Sequence, residues 1–348
     1  MSLIKSILKY SKMTPTALKL RIMYTYGNQK NNNTIINQAQ FVKREIPIRL
    51  ARRVVELENL PYNLSKIPQI QEVAELYKTS FDMVHNTTYP YNYSHCSNLS
   101  NVLSKIKYRH QEVQSDIGKG IREWVKKYPN INYDINSFLD NFYMSRIGIR
   151  TLIGQYIGVE REQQGIIQTC YPEKIIVEAI QRAGEACDLE YGDHPEVNIY
   201  TPPNIKLTYI PSHLFYIFFE LLKNSMKAVM ENNSHDNNDN PYPKDIKVYI
   251  SKGSKDLIIR ITDFGGGFPR DNIDNVFNYA YTTTKQIISD NPYFTPQVIL
   301  SGLGYGLPLS RLYCKYFKGD LQLIPYEGIG TDVLIFINKL GNKNENIF

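Results

Sequence analysis

Residues 215–231 read Phe215-Tyr-Ile-Phe-Phe-Glu-Leu-Leu-Lys-Asn-Ser-Met-Lys-Ala-Val-Met-Glu231. The apolar positions Phe215, Phe218, Phe219, Leu222, Met226 and Val229 recur at helical spacing. Glu220, Asn224 and Lys227 fall at i, i+4 and i+7 and share one face. A carboxylate, an amide and a cation on a mostly apolar helix are costly to bury without partners. A magnesium nucleotide supplies them. Asn224 offers a neutral oxygen to a hard cation, Glu220 can take a proton, and Lys227 can meet a phosphate. The plainer reading is an amphipathic helix with a solvated polar stripe.

Two glycine clusters downstream decide between these readings. Leu257-Ile-Ile-Arg-Ile-Thr-Asp-Phe-Gly-Gly-Gly-Phe268 is an apolar strand that runs into Asp263 and stops at three glycines. A carboxylate at a strand end can accept from an exocyclic amine such as that of adenine. Ser301-Gly-Leu-Gly-Tyr-Gly-Leu-Pro308 is a glycine-rich turn before the apolar-periodic Leu309, Leu312, Tyr313 and Tyr316. Such a turn opens a helix where free N–H groups favour phosphate. Either cluster alone reads as a tight turn; both in this order after the 215–231 helix read as a nucleotide site.

Glu220–Asn224, Asp263–Gly265–Gly267 and Gly302–Gly304–Gly306 together resemble the N-box and the two glycine boxes of the GHKL ATPases, and Thr331 in Gly-Ile-Gly-Thr-Asp matches the threonine near their nucleotide. Asp263-Phe264-Gly265 also spells a tripeptide of ordinary protein kinases. No His-Arg-Asp loop precedes it, and there is no Gly-x-x-x-x-Gly-Lys-Ser/Thr loop, so neither rival nucleotide motif applies.

Composition narrows the class. The chain has 348 residues, 42% of them hydrophobic, enough for two domains. No apolar run reaches the roughly 18 residues of a membrane span. Cys96, Cys170, Cys187 and Cys314 form no Cys-x-x-Cys and read as reduced thiols. The net charge of +6 is concentrated at the start: residues 1–44 hold lysines and arginines and no acid. This segment suits a mitochondrial targeting signal or an ordinary basic first helix. No basic patch on the remainder points to nucleic acid.

Four regions follow. Residues 1–40 form the basic segment with a first helix. Residues 41–187 read as a helical bundle, with helices over Arg49–Glu58, Pro68–Phe81, Asn98–Tyr128 and Ile135–Val159. Residues 188–340 alternate strand-like runs (Val197–Tyr200, Ile205–Tyr209, Ile246–Ile250, Leu257–Thr262, Leu321–Ile324, Val333–Ile337) with helices at Ser212–Glu231 and Leu307–Phe317. Residues 341–348 are a tail. The polar run Asn232–Pro243 reads as a surface insertion, and 285–301, with two prolines and little periodicity, as a nucleotide lid. The fold class expected is α+β: a four-helix-type bundle followed by a GHKL α/β sandwich.

The bundle region narrows the family. Phe138-Leu-Asp-Asn-Phe-Tyr-Met-Ser-Arg-Ile-Gly-Ile-Arg150, Arg44-Glu-Ile-Pro-Ile-Arg-Leu-Ala51, Pro211-Ser-His-Leu-Phe215 and Phe317-Lys-Gly-Asp-Leu321 resemble the mitochondrial pyruvate dehydrogenase kinases. The sister family acts on the branched-chain 2-oxoacid dehydrogenase. Trp124 is the only tryptophan, so the Asp-Trp tail pair of the pyruvate group is absent from this sequence, and Phe264 and Lys227 stand where the family usually has arginine.

The resemblance implies an ATP-dependent protein-serine kinase that inactivates the pyruvate dehydrogenase α subunit, in the mitochondrial matrix. Branched-chain kinase is the nearest alternative, and a non-catalytic structural subunit the alternative of another class. ATP and Mg²⁺ are the implied cofactors, with K⁺ as an additional ion. The implied partners are the lipoyl domain of the acyltransferase core and a second copy of the chain. Glu220 and His110 are the expected catalytic groups and Asn224 the Mg²⁺ ligand. Lys223, Lys227, Asp263, Gly265, Gly267, Thr282, Thr283, Gly302, Leu303, Gly304, Tyr305, Gly306, Leu307 and Thr331 are the expected ATP contacts. Tyr77, Ser80, His110 and Arg150 are expected to form a regulatory site for a small anion such as pyruvate or dichloroacetate. From the residues alone, Arg150 pairing with a carboxylate such as Asp116, and His110 capping a helix, is the alternative.

Overall fold

The computed structural model describes residues 2–29, 31–162, 164–235, 245–279, 304–340 and 344–346. The chain divides into two compact units that meet between Ile167 and Gln168.

The first unit is helical. It contains α1 (Leu3–Ser11), α2 (Leu20–Gly27), α3 (Asn32–Glu58), α4 (Pro68–His85), α5 (Tyr93–Arg109), α6 (Val113–Lys127) and α7 (Ile135–Ile157), with a π-helical turn at Gly158–Glu162. The starts follow capping chemistry. Asn31, Asn92 and Asp134 accept from the backbone N–H three residues on, and Pro68 occupies the first turn of α4. α3, α4, α5 and α7 pack pairwise, and α6 lies on α4. Their core includes Leu50, Val54, Val73, Phe81, Leu99, Leu103, Phe142 and Ile153.

Three expectations change here. α3 begins at Asn32 rather than near Arg49, because the Asn31 cap nucleates it earlier and Ile35, Ala39, Val42 and Ile46 continue its buried stripe. The single helix expected over 98–128 is two helices. It breaks where the guanidinium of Arg146 takes the carbonyls of His110 (2.6 Å) and Gln111 (3.5 Å), satisfying the end of α5 from another helix. The basic segment 1–40 is part of this unit. Glu45 accepts from the Thr16 N–H at 2.8 Å, and Arg49 pairs with Glu45 at 3.0 Å while donating to the Thr16 carbonyl.

The second unit holds β1 (Gln168–Cys170), α8 (Pro172–Tyr191), β2 (Val197–Tyr200), β3 (Leu207–Tyr209), α9 (Pro211–His235), β4 (Ile246–Lys252), β5 (Asp256–Asp263), α10 (Gly306–Tyr316), β6 (Asp320–Tyr326) and β7 (Gly330–Asn338). β1 and β3 form a short antiparallel pair; the main sheet has the order β2-β4-β5-β7-β6, parallel only between β2 and β4. The domain boundary therefore lies near 168 instead of 188. α8 buries Ile175, Ile176, Ala179 and Ala183 and packs on α9, which makes it a layer of the second unit.

Strict alternation sends Ile246, Val248, Ile250, Leu257, Ile259, Ile261, Val333, Ile335 and Ile337 to the face covered by α9 and α10. The opposite face carries a ladder in which Tyr200 stacks on Tyr249 at 4.8 Å and Arg260 lies over Tyr249 at 4.4 Å. Among the described residues, no helix is long and apolar enough to cross a membrane.

Candidate functional site: an adenine nucleotide cleft

The α9 helix carries the site because its buried stripe fixes its rotation. Leu214, Ile217, Phe218, Leu221, Leu222, Met226 and Val229 all face inward. Glu220 follows them to 5% exposure. Its Oε2 accepts from Lys223 Nζ at 2.9 Å. The same oxygen lies against the first residue of α10: a Cβ at Gly306 would come within 2.3 Å of it. Glu220 thus reaches the N-terminal end of α10, beside a lysine and a cradle that only glycine leaves open. Asn224, one turn on, is exposed.

Asp263 is carried inward by the same alternation that buries Leu257, Ile259 and Ile261. Its Oδ1 accepts from the Gly265 N–H (3.1 Å) and the Thr331 N–H (3.2 Å), and its Oδ2 from the Ser225 hydroxyl (3.0 Å). Burial pushes its pKa up to about 6; those three donors pull it down and the Asp332 charge adds to the rise. A carboxylate has about four acceptor sites. Donors from the described residues take three, which leaves room on Oδ2 for the amine of a ligand.

The glycine run after Asp263 is clasped by the β6–β7 turn. The Gly266 N–H donates to the Ile329 carbonyl at 3.2 Å, and the Gly328 N–H donates to the Gly266 carbonyl at 2.8 Å. Gly267 sits at φ +61°, where a Cβ would lie 2.3 Å from the Tyr326 carbonyl and 2.6 Å from that of Gly330. Gly304 has φ +71° and turns the chain into α10, whose first N–H groups have no helical partner. Tyr305 is buried with its ring 5.3 Å from Tyr279, and Leu307 continues the first turn. Thr282, Thr283, Gly302, Leu303 and the expected lid 285–301 lie outside the described residues, as does most of the 232–243 insertion.

Lys227 does not join the cleft. It pairs with Glu190 of α8 at 3.4 Å and with Glu231 at 3.7 Å. Lys227 shares the Glu220 face but lies two turns, roughly 10 Å, further along the axis, where α8 supplies the acid.

The remaining expected residues belong to the first unit. His110 ends α5, with its ring 2.7 Å from Ser80 Oγ and edge-on to Tyr77 at 4.7 Å. Burial, then the Arg146 charge, depresses the His110 pKa to about 3. A neutral ring bonded to Ser80 belongs to this bundle cluster. Burial raises the Tyr77 pKa, and the Arg146 charge opposes that rise. The cation of this cluster is accordingly Arg146, buried on α7. Arg150, one turn later and half-buried, lowers the pKa values of His110 and Lys107 through its charge. Both arginines flank the same isoleucines, so sequence pattern alone does not separate them. Asp116 pairs with Lys119 at 3.6 Å.

Two participants escape sequence reading. Ser225 looks like a neutral helix residue; its signal was its place one residue after Asn224 on a buried stripe. Gly330, whose Cβ would lie 2.0 Å from the Asp263 carbonyl, was readable only as the glycine before Thr331.

The arrangement suits an adenine nucleotide: an acceptor for an amine, a glycine cradle at a helix N-terminus, and a half-buried lysine paired with a carboxylate. Residues 209–340 match the family of histidine kinase-, DNA gyrase B-, and HSP90-like ATPases, and residues 17–181 match the mitochondrial branched-chain alpha-ketoacid dehydrogenase kinase family. The chain is 35% identical to a mitochondrial [pyruvate dehydrogenase (acetyl-transferring)] kinase of Arabidopsis thaliana, over 99% of this chain and 96% of the relative. It is 34% identical to isozyme 3 of that kinase from Homo sapiens, over 98% of this chain and 87% of the relative. The corresponding kinase of Drosophila melanogaster is 35% identical, over 98% of this chain and 86% of the relative.

Proposed function

Since the chain belongs to the mitochondrial pyruvate dehydrogenase kinase family, we propose that it is an ATP-dependent protein kinase that phosphorylates serine on the α subunit of pyruvate dehydrogenase and switches that enzyme off. The observation that carries this reading is the joint placement of Glu220 and Lys223 at the N-terminus of α10, with Asp263 buried beside Ser225 on the same helix α9.

Phosphoryl transfer needs positioning and charge neutralisation more than covalent chemistry. Asp263 accepts the adenine amine. The α10 N-terminus and Lys223 meet the phosphates, which draws the lysine off Glu220. Glu220 then orients the acceptor serine and takes its proton. Asn224 would be the protein ligand for Mg²⁺, a metal that keeps several waters and needs few side chains and that would neutralise phosphate charge there. Thr331 holds Asp263 through its N–H.

The matrix is the proposed compartment, the lipoyl domain of the acyltransferase core a proposed docking partner, and a homodimer the proposed assembly. The Tyr77, Ser80 and His110 cluster, with Arg146 as its cation and Arg150 at its edge, is the proposed site for a regulatory carboxylate. The branched-chain dehydrogenase is the second reading, favoured by the family matched over residues 17–181; the full-length relatives favour pyruvate. Incubation with labelled ATP and each dehydrogenase heterotetramer separates them. Label on the pyruvate enzyme's α subunit is the expected result, and label confined to the branched-chain enzyme overturns it.

A further inference from the structure

Serines inside helices ordinarily bond back to a carbonyl four residues earlier. Ser80 and Ser104 do so here, donating to Leu76 O at 2.7 Å and Ser100 O at 2.9 Å. Ser225, equally interior to α9 and 3% exposed, instead donates across to β5, to Oδ2 of Asp263 at 3.0 Å. The two backbone donors on Asp263, from Gly265 and Thr331, both go to Oδ1. Oδ1 is therefore fixed by main chain, and Oδ2, the oxygen with acceptor capacity left for a ligand, is held by Ser225.

We infer that Ser225 is the positioning residue that orients the Asp263 carboxylate and thereby sets the preference for a 6-amino over a 6-oxo purine. This rests on the reading of Asp263 as the nucleobase acceptor. The physical reason is directional. An ionised carboxylate only accepts hydrogen bonds, so it welcomes an exocyclic amine and repels a carbonyl in the same place. That discrimination requires Oδ2 to face the base edge. The terminal torsion of a carboxylate has broad wells, and turning it moves both oxygens together. The Ser225 hydroxyl adds to the two main-chain bonds on Oδ1 the one side-chain restraint that acts on Oδ2 itself. Its removal also withdraws a donor that keeps a buried carboxylate ionised, and a protonated Asp263 becomes able to donate to a carbonyl.

The test is calorimetric binding of MgATP and MgITP to the full chain and to Ser225→Ala, Ser225→Thr and Asp263→Asn. In the parent ATP binds more tightly than ITP. Loss of a hydrogen bond to a charged group corresponds to roughly tenfold in affinity or more. In Ser225→Ala the ATP constant is expected to weaken on that order while the ITP constant stays within about twofold, so the selectivity ratio collapses. Ser225→Thr keeps the hydroxyl and restores the parent ratio. Equal weakening of both nucleotides in Ser225→Ala marks a packing defect and overturns the inference, as does an unchanged ratio. If Ser225→Ala fails to fold, Ser225→Cys, a near-isostere with a weak donor, is read by the same ratio. Asp263→Asn separates the two levels. If it binds ATP like the parent, the nucleobase reading itself fails. If it loses ATP while Ser225→Ala keeps the parent ratio, only the role of Ser225 fails.

Discussion

Two buried carboxylates with different neighbours face the cleft. Glu220 is paired with Lys223 and abuts Gly306; Asp263 is surrounded by neutral donors. Glu220→Gln keeps the shape and cannot take a proton. It should retain ATP binding and lose roughly 10²–10⁴ of the transfer rate; a rate within about twofold of the parent removes Glu220 from the chemistry. For Asp263 the prediction is a pH profile. Burial pushes its pKa in the nucleotide-free protein up from the ordinary carboxylate value to about 6. The amine needs the ionised form, so ATP affinity should be constant at higher pH and fall as pH drops through about 6. A flat profile from pH 5 to 8 by calorimetry would sink that role. Glu220, Asn224 and Asp263 were legible because costly polar groups in apolar patterns stand out. Ser225 and Arg146 were not, since a serine in a helix and one arginine of two carry no such contrast until a partner from another element appears.

Elements explain why these groups meet. One helix, α9, orients both carboxylates: Glu220 toward α10 and, through Ser225, Asp263 on β5. Gly306 is the contact between α9 and α10. Gly306→Ala places a methyl where Glu220 Oε2 now lies. The expected effect is a fall in kcat of at least about tenfold with a smaller change in ATP affinity, because the displaced group acts in transfer and not in base recognition. Steady-state kinetics beside calorimetry decides it; a change confined to KM contradicts the contact. Most strands and α9 were readable within a few residues from periodicity. The break between α5 and α6 was not, because its cause is the Arg146 guanidinium on α7 and not a glycine or proline. The start of α3 was hidden for the opposite reason: its Asn31 cap sits in a polar run that reads as a loop.

For the molecule as a whole, the sequence placed a helical region before an ATPase region but set the division some twenty residues late. α8 has the composition of the helices before it, and only its packing on α9 assigns it to the second unit. The regulatory proposal is also tested at this scale. Millimolar pyruvate or dichloroacetate should inhibit the parent kinase; Arg146→Ala should lose most of that inhibition and Arg150→Ala should lose less. Equal inhibition of all three proteins places the anion elsewhere. If the cleft built on α9 drives the phosphorylation that silences pyruvate dehydrogenase, the activity of the purified dehydrogenase after MgATP is added with the parent chain or with Glu220→Gln reads it out. Progressive loss of activity, with label on the α subunit, is expected for the parent only. Equal loss with both proteins, or none with the parent, contradicts it.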